Sequence, residues 1–116
     1  MVTTRITRSD DDQRIFDALA DPTRRQLIHL LASNDGVSIT TLSANFPMSR
    51  QAVSKHLQVI EEAGLVTVER QGRERLLHFS PKPLSVASTW VQQIEHEWDA
   101  RLDNLKRYLV DAETDL

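Results

Sequence analysis

Cysteine is absent from these 116 residues, so no disulfide framework, thiol nucleophile, thiolate metal site or cysteine redox switch can be built from them. Glycine occurs three times and proline four, too rarely for a collagen-like or low-complexity chain. Aromatic residues make up 5% of the sequence, and no stretch approaches the roughly 18 apolar residues that a membrane-spanning helix needs. The opening Met1 to Asp10 is polar and lacks the apolar run of a secretory leader, which with the missing cysteine sets the expectation of a cytoplasmic protein. What is present is 40% hydrophobic and 27% charged residues, the apolar ones recurring along most of the length. That composition suits one domain with a real core.

The formal charge of −3 runs against nucleic-acid binding until its distribution is read. Residues 36–80 carry Arg50, Lys55, Arg70, Arg73 and Arg75 against Glu61, Glu62, Glu69 and Glu74, and the acid excess lies in residues 81–116. A phosphate backbone responds to a local basic face, which the middle third can supply if its acids point elsewhere.

Local patterns predict five helices and a hairpin. Asp10 to Asp12 precede Ile15, Phe16 and Leu19, predicting a short first helix from about residue 12 with acids at its positive end, and leaving 1–11 as a flexible arm. Asp21-Pro22 reads as an N-cap followed by proline at the first helical position, with Leu27, Ile28, Leu30 and Leu31 as the apolar stripe of a second helix over about 22–32. Ser33-Asn34-Asp35-Gly36 is a turn cluster. Ile39, Leu42 and Phe46 predict a short third helix closed by Pro47. Ser49 then starts a fourth, to about Ala63. It turns Ala52, Val53, Leu57 and Ile60 inward and Gln51, Lys55, Gln58 and Glu62 outward, with Gly64 as a left-handed cap. Leu65 to Val68 and Leu76 to Phe79 are β-prone runs flanking a basic tip at residues 69–75. Beyond Pro81 and Pro83, apolar residues from Val86 to Leu109 recur every three or four positions, predicting one long helix. The main unit is expected over 12–110, with 111–116 as an acidic tail.

The third and fourth helices, joined by Phe46-Pro47-Met48, form a helix-turn-helix whose second member can enter a major groove roughly 12 Å wide. The basic hairpin that follows is a wing. The fold class is therefore mainly α with a β-hairpin wing, a winged helix-turn-helix. Ser49, Arg50, Gln51, Ser54, Lys55 and His56 are candidate DNA contacts of the helix, and Arg70, Arg73 and Arg75 of the wing. His56 lies beside the apolar sector, which favours a structural or phosphate-contacting role over base reading. His29 and His78 read as packing histidines.

Asp21-Pro22-Thr23-Arg24-Arg25, Ser49-Arg50-Gln51-Ala52-Val53-Ser54-Lys55-His56-Leu57, Glu62-Ala63-Gly64-Leu65-Val66 and Arg70-Gln71-Gly72-Arg73 together resemble the ArsR/SmtB-type bacterial winged-helix repressors over roughly residues 12 to 110. The resemblance implies a homodimeric repressor on a double-stranded DNA operator, with the first and last helices at the dimer interface. The metal-sensing members carry cysteines where this chain has Ser38 and Thr40, and paired histidines and carboxylates on the last helix, where it has His96 with Glu95, Glu97 and Asp99. No cofactor or metal is therefore expected. A zinc-responsive repressor using a symmetric His96 pair is one alternative.

The polar face of the fourth helix could equally be a solvated surface, and the wing arginines could guard an exposed edge strand. A protein-interaction module working through its acidic tail is a further alternative. The long last helix exceeds what the protomer body can cover, so contact with a second copy is expected, anchored by Val86, Trp90, Ile94, Trp98, Leu102 and Leu105, with Ile15 and Leu19 from the first helix. No paired acid and base, activated nucleophile or glycine-rich phosphate loop is present, so an enzyme is not expected.

Overall fold

The computed structural model describes the backbone of residues 2–114 and the side chains of residues 10–112. Helix α1 spans Val2–Ala20. It begins well before the expected residue 12, because nothing between Val2 and Ala20 is glycine or proline to interrupt it. The segment expected as a free arm is thus helical over its described residues, Met1 lying outside them, and Asp10 to Asp12 sit within the helix, not at its positive end. The chain breaks at Asp21, whose extended backbone and carboxylate cap α2, Pro22–Ser33, by accepting the Arg24 N–H at 3.1 Å. That N–H, with the Thr23 N–H and the nearby Arg24 charge, holds the Asp21 carboxyl below its ordinary range against the opposing effect of partial desolvation. Two of the last carbonyls of α1 are satisfied across the corner. Asp17 O accepts from Arg24 Nε and Nη2 at 3.2 and 2.7 Å, and Leu19 O from Arg25 Nη1 at 2.7 Å.

A two-residue strand β1, Val37–Ser38, follows the turn at Gly36. It has no signature in the sequence, since two residues show no periodicity and its partner lies some forty positions away. Buried Ser38 then caps α3, Ile39–Ala44, with Oγ accepting the Thr41 N–H at 3.1 Å. Helix α3 stops two residues short of the expected Phe46, and the turn leads to Ser49 and α4, Arg50–Glu62. At the far end Gly64, with φ of 79°, donates to Glu61 O while Leu65 donates to Ile60 O, a Schellman closure that agrees with the predicted left-handed cap.

Strands β2, Val66–Gln71, and β3, Glu74–Phe79, are longer than the sequence runs suggested. They pair antiparallel from Val66↔Phe79 to Gln71↔Glu74, so only Gly72 and Arg73 remain in the turn. The glycine φ of 64° at the first turn position suits such a two-residue hairpin. The sheet order is β1-β3-β2. Its inner face and helices α1 to α4 enclose one core, where Leu27, Leu31, Val53, Ile60, Leu65, Val66 and Leu77 are essentially sealed from solvent.

A short 3₁₀ turn, Lys82–Leu84, leads into α5, Ser85–Thr114. At about 1.5 Å per residue this helix is roughly 45 Å long. Its beginning rests on the body: Val86 and Ala87 pack against the core, and Trp90 meets Phe16 edge to face at 5.7 Å. The radius of gyration is 21.0 Å, against about 13 Å for a compact chain of this length. Helix α5 also runs through Thr114, so the expected acidic tail is helical where described, with residues 115 and 116 outside the described set.

His78 is not a packing residue. It stands on the outer face of the sheet with Nε2 2.7 Å from Glu69 and Nδ1 3.3 Å from Asp35. Both partners only accept, so the doubly protonated ring satisfies them together, and Glu69 first, then Asp35, raise its proton affinity above the ordinary value of 6.5 despite some desolvation. A raised native pKa gives stabilisation that is complete below the unfolded value and lost as pH rises through the native one. Melting temperature should therefore decline from pH 6 upward in the parent, and His78→Gln should flatten that slope; equal slopes in both proteins would refute the linkage.

Candidate nucleic-acid interface

Helix α4 owes its orientation to three buried side chains. With Val53, Leu57 and Ile60 in the core, the 100° step per residue leaves Gln51, Lys55, Gln58 and Glu62 outward, all exposed. Ser49 begins the helix with its Oγ accepting the Ala52 N–H at 3.1 Å, and Arg50 and Gln51 occupy the exposed first turn. Ser54 faces to one side. With Gln58 and Glu61 it lines a cleft whose far wall is Val68 and Arg75 of the hairpin. His56 faces the opposite side, half-buried, with Nδ1 3.3 Å from Arg24 Nη1 at the α1–α2 corner. It thus borders the outward face without sharing it.

Strand alternation sorts the charges of the wing. Residues 66, 68 and 70 of β2 and 75, 77 and 79 of β3 share the face that buries Val66 and Leu77, so Arg70 and Arg75, cross-strand partners, continue that face toward the tip. Glu69, Gln71, Glu74 and His78 lie on the other face, where Glu69 is engaged by His78. Arg73 occupies the turn. Two like charges directly opposed on an exposed hairpin are unfavourable without an anion, and Arg70, Arg73 and Arg75 are all exposed. The four basic residues of this segment other than Lys55 therefore stand at the first turn of α4 or on the wing, while Glu69 and Glu74 are turned away and Glu61 and Glu62 lie at the distal end of α4.

The sequence model of a helix-turn-helix domain family matches residues 19–69, from the end of α1 into the wing. HTH-type transcriptional regulator Rv2034 of Mycobacterium tuberculosis is 34% identical over 108 residues, covering 93% of this chain and 94% of that protein. The solved structure of an ArsR-like transcriptional regulator from Rhodococcus sp. RHA1 is 32% identical, with a TM-score of 0.72 over 87% of this chain and 94% of that one. The chain belongs to the ArsR family of helix-turn-helix transcriptional regulators. A further solved structure, the homodimeric winged helix-turn-helix DNA-binding domain of a Mycobacterium bovis protein, is 24% identical and shares the fold, with a TM-score of 0.63 over 80% of this chain and 85% of that one.

The ArsR-family fold accounts for the HTH pair and the wing as a DNA-binding unit, and it leaves α5 as the second prominent surface. Trp90, Ile94, Trp98, Leu102 and Leu105 are all substantially exposed, Trp98 at 58%. Val91, Tyr108, Leu109 and Val110 add to this apolar surface, and the sequence reading omitted them as anchors. Val86 is half-buried against the core. Ile15 needs correction: at 2% exposed it belongs to the protomer's own core, as its position on the inner face of α1 requires, and Leu19 packs on that core as well. His96 lies exposed along α5, and among the described residues no three metal-ligating side chains converge. No helix is long and apolar enough to cross a membrane, again among the described residues. Sequence reasoning also missed Arg24, whose three contacts tie α1, α2 and α4; the string Asp21 to Arg25 was the only signal for it.

Loss of the α4 cap isolates the local contribution of Ser49. Ser49→Ala should lower unfolding free energy by about 1 kcal/mol in urea titrations, and Ser49→Asp should restore most of it. No change on Ser49→Ala would mean that the helix start is held by other contacts.

Proposed function

We propose that this regulator is a cytoplasmic homodimeric repressor that binds a pseudo-palindromic operator, each protomer laying α4 in one major groove and its wing along the flanking backbone, and that it has no catalytic role. The observation that carries the reading is the grouping of charge. Arg50 and Lys55 near the start of α4 and Arg70, Arg73 and Arg75 on the wing are exposed, while Glu69 and Glu74 occupy the opposite sheet face. A net charge of −3 is then no obstacle, because phosphate attraction is local and screened within about 10 Å at moderate salt. Gln51, Lys55 and Arg50 supply base-edge and backbone contacts, with Ser49 and Ser54 at the margins and Arg70, Arg73 and Arg75 on phosphates or the adjacent minor groove.

Dimerisation is supported by surface arithmetic. The protomer exposes 8922 Å², against about 6,450 Å² for a compact monomer of its mass, and the excess lies within the range that obligate dimer interfaces cover. Helix α5 adds exposed apolar side chains such as Trp90, Ile94, Trp98 and Leu105, and the M. bovis neighbour with this fold is a homodimer. Blocking a promoter by occupancy requires nothing beyond such a dimer on its site.

Gel-shift and fluorescence-anisotropy titration with the promoter fragment preceding its own gene should show saturable binding. Lys55→Ala and Arg73→Ala should each weaken it about five- to tenfold with little change in melting temperature, and Arg73→Ala should reduce the salt slope by about one. Parent-like affinity in both variants would remove this face as the DNA contact. Trp98→Glu should shift sedimentation from dimer to protomer and abolish operator binding at nanomolar concentration; a dimeric Trp98→Glu protein would place the interface elsewhere.

A further inference from the structure

Arg24 joins three helices through one planar group. Its Nε and Nη2 both donate to the carbonyl oxygen of Asp17 in the last turn of α1, and its Nη1 lies 3.3 Å from Nδ1 of His56 on α4. A guanidinium carries only N–H donors, so Nδ1 must be the acceptor, and a neutral imidazole that accepts at Nδ1 carries its hydrogen on Nε2. The donor is held in place as well: two of its nitrogens are fixed on a carbonyl at the negative end of α1, and its backbone N–H donates to the capping carboxylate of Asp21. Nε2 has no partner among the described residues, and His56 is half-buried beside the exposed Lys55.

We propose that Arg24 is the positioning residue of the DNA-reading helix: it locks His56 as the Nε2–H tautomer, so that the imidazole offers a fixed, uncharged N–H donor to an operator phosphate at the margin of α4. The proposal rests on the reading of α4 as the DNA-contacting helix. A pre-oriented neutral donor costs no rearrangement on binding and differs from the flexible charges of Lys55 and Arg50, which reach several oxygens. It also makes the angle of α4 depend on the end of α1, the helix that carries Phe16 against Trp90 of α5.

Two measurements test it. Long-range nitrogen–proton NMR of the imidazoles in the free protein should show His56 as the Nε2–H tautomer in the parent and a mixture in Arg24→Met. Affinity is read on the duplex that the parent enriches from a random-sequence library. Arg24→Met and His56→Ala should each weaken binding about tenfold after correction for folded fraction, the double variant should be no weaker than either, and His56→Gln, which keeps an outward N–H, should stay within about threefold of the parent. Arg24→Lys replaces Arg24→Met should the latter not fold, since one ammonium cannot serve Asp17 and His56 together. An Nδ1–H tautomer in the parent, losses that multiply in the double variant, or a His56→Gln protein as weak as His56→Ala would each overturn the proposal. Failure to enrich any duplex would overturn the DNA reading and the phosphate donor with it, while the tautomer would still decide whether Arg24 sets His56.

Discussion

The burial of Val53, Leu57 and Ile60 governs the rest of this molecule. Those three side chains occupy a core built from α1, α2, α3 and the inner face of the sheet, and a helix with one face committed inward has no freedom in what it presents outward. Gln51 and Lys55 are exposed for that reason, Ser54 turns to the wing and His56 to the α1–α2 corner. Rotating α4 by a single residue would bring Lys55 or Ser54 toward apolar neighbours, at a cost well above what any surface contact returns. That outward surface is therefore as rigid as the core beneath it.

The sheet applies the same logic with a period of two. Val66 and Leu77 face the core, so Arg70 and Arg75 must extend that face, and Glu69 and Glu74 must take the other. Charges that cancel in the composition are separated in space. On the acidic side His78 gathers Glu69 and Asp35, joining the wing to the turn before β1. The wing is thus anchored on the face away from its arginines, which leaves the basic face open.

Helix α5 shows a third consequence of a small core. The helices and sheet enclose a body that seats the first turns of α5, where Trp90 meets Phe16. The remaining turns keep a repeat of apolar residues out to Leu109 that stays exposed on the protomer. The corner held by Arg24 connects α1, beside the start of α5, with α4.

Much was already legible in the residues. Caps with a local mechanism, such as Asp21, Ser49 and Gly64, mark where helices begin and end, and the periodicities of α2, α4 and α5 separate inner from outer faces without reference to any distant partner. Where the reading missed, the deciding partner was non-local or no breaker was present. The pairing of Val37 and Ser38 with Leu77 and Leu76 created β1, the absence of glycine and proline carried α1 back to Val2, and strand register, not composition, extended the hairpin to a two-residue turn. Spacing shows that Ile15 is apolar and on a face, yet cannot tell whether its own core or a partner covers it. His56 and Arg24, thirty-two positions apart, could be joined only by the packing of α4 on the α1–α2 corner. Local sequence thus determines helix ends, faces and the charge available to each; tertiary structure decides which faces meet, because contact energies depend on partners that the chain brings together only when it folds.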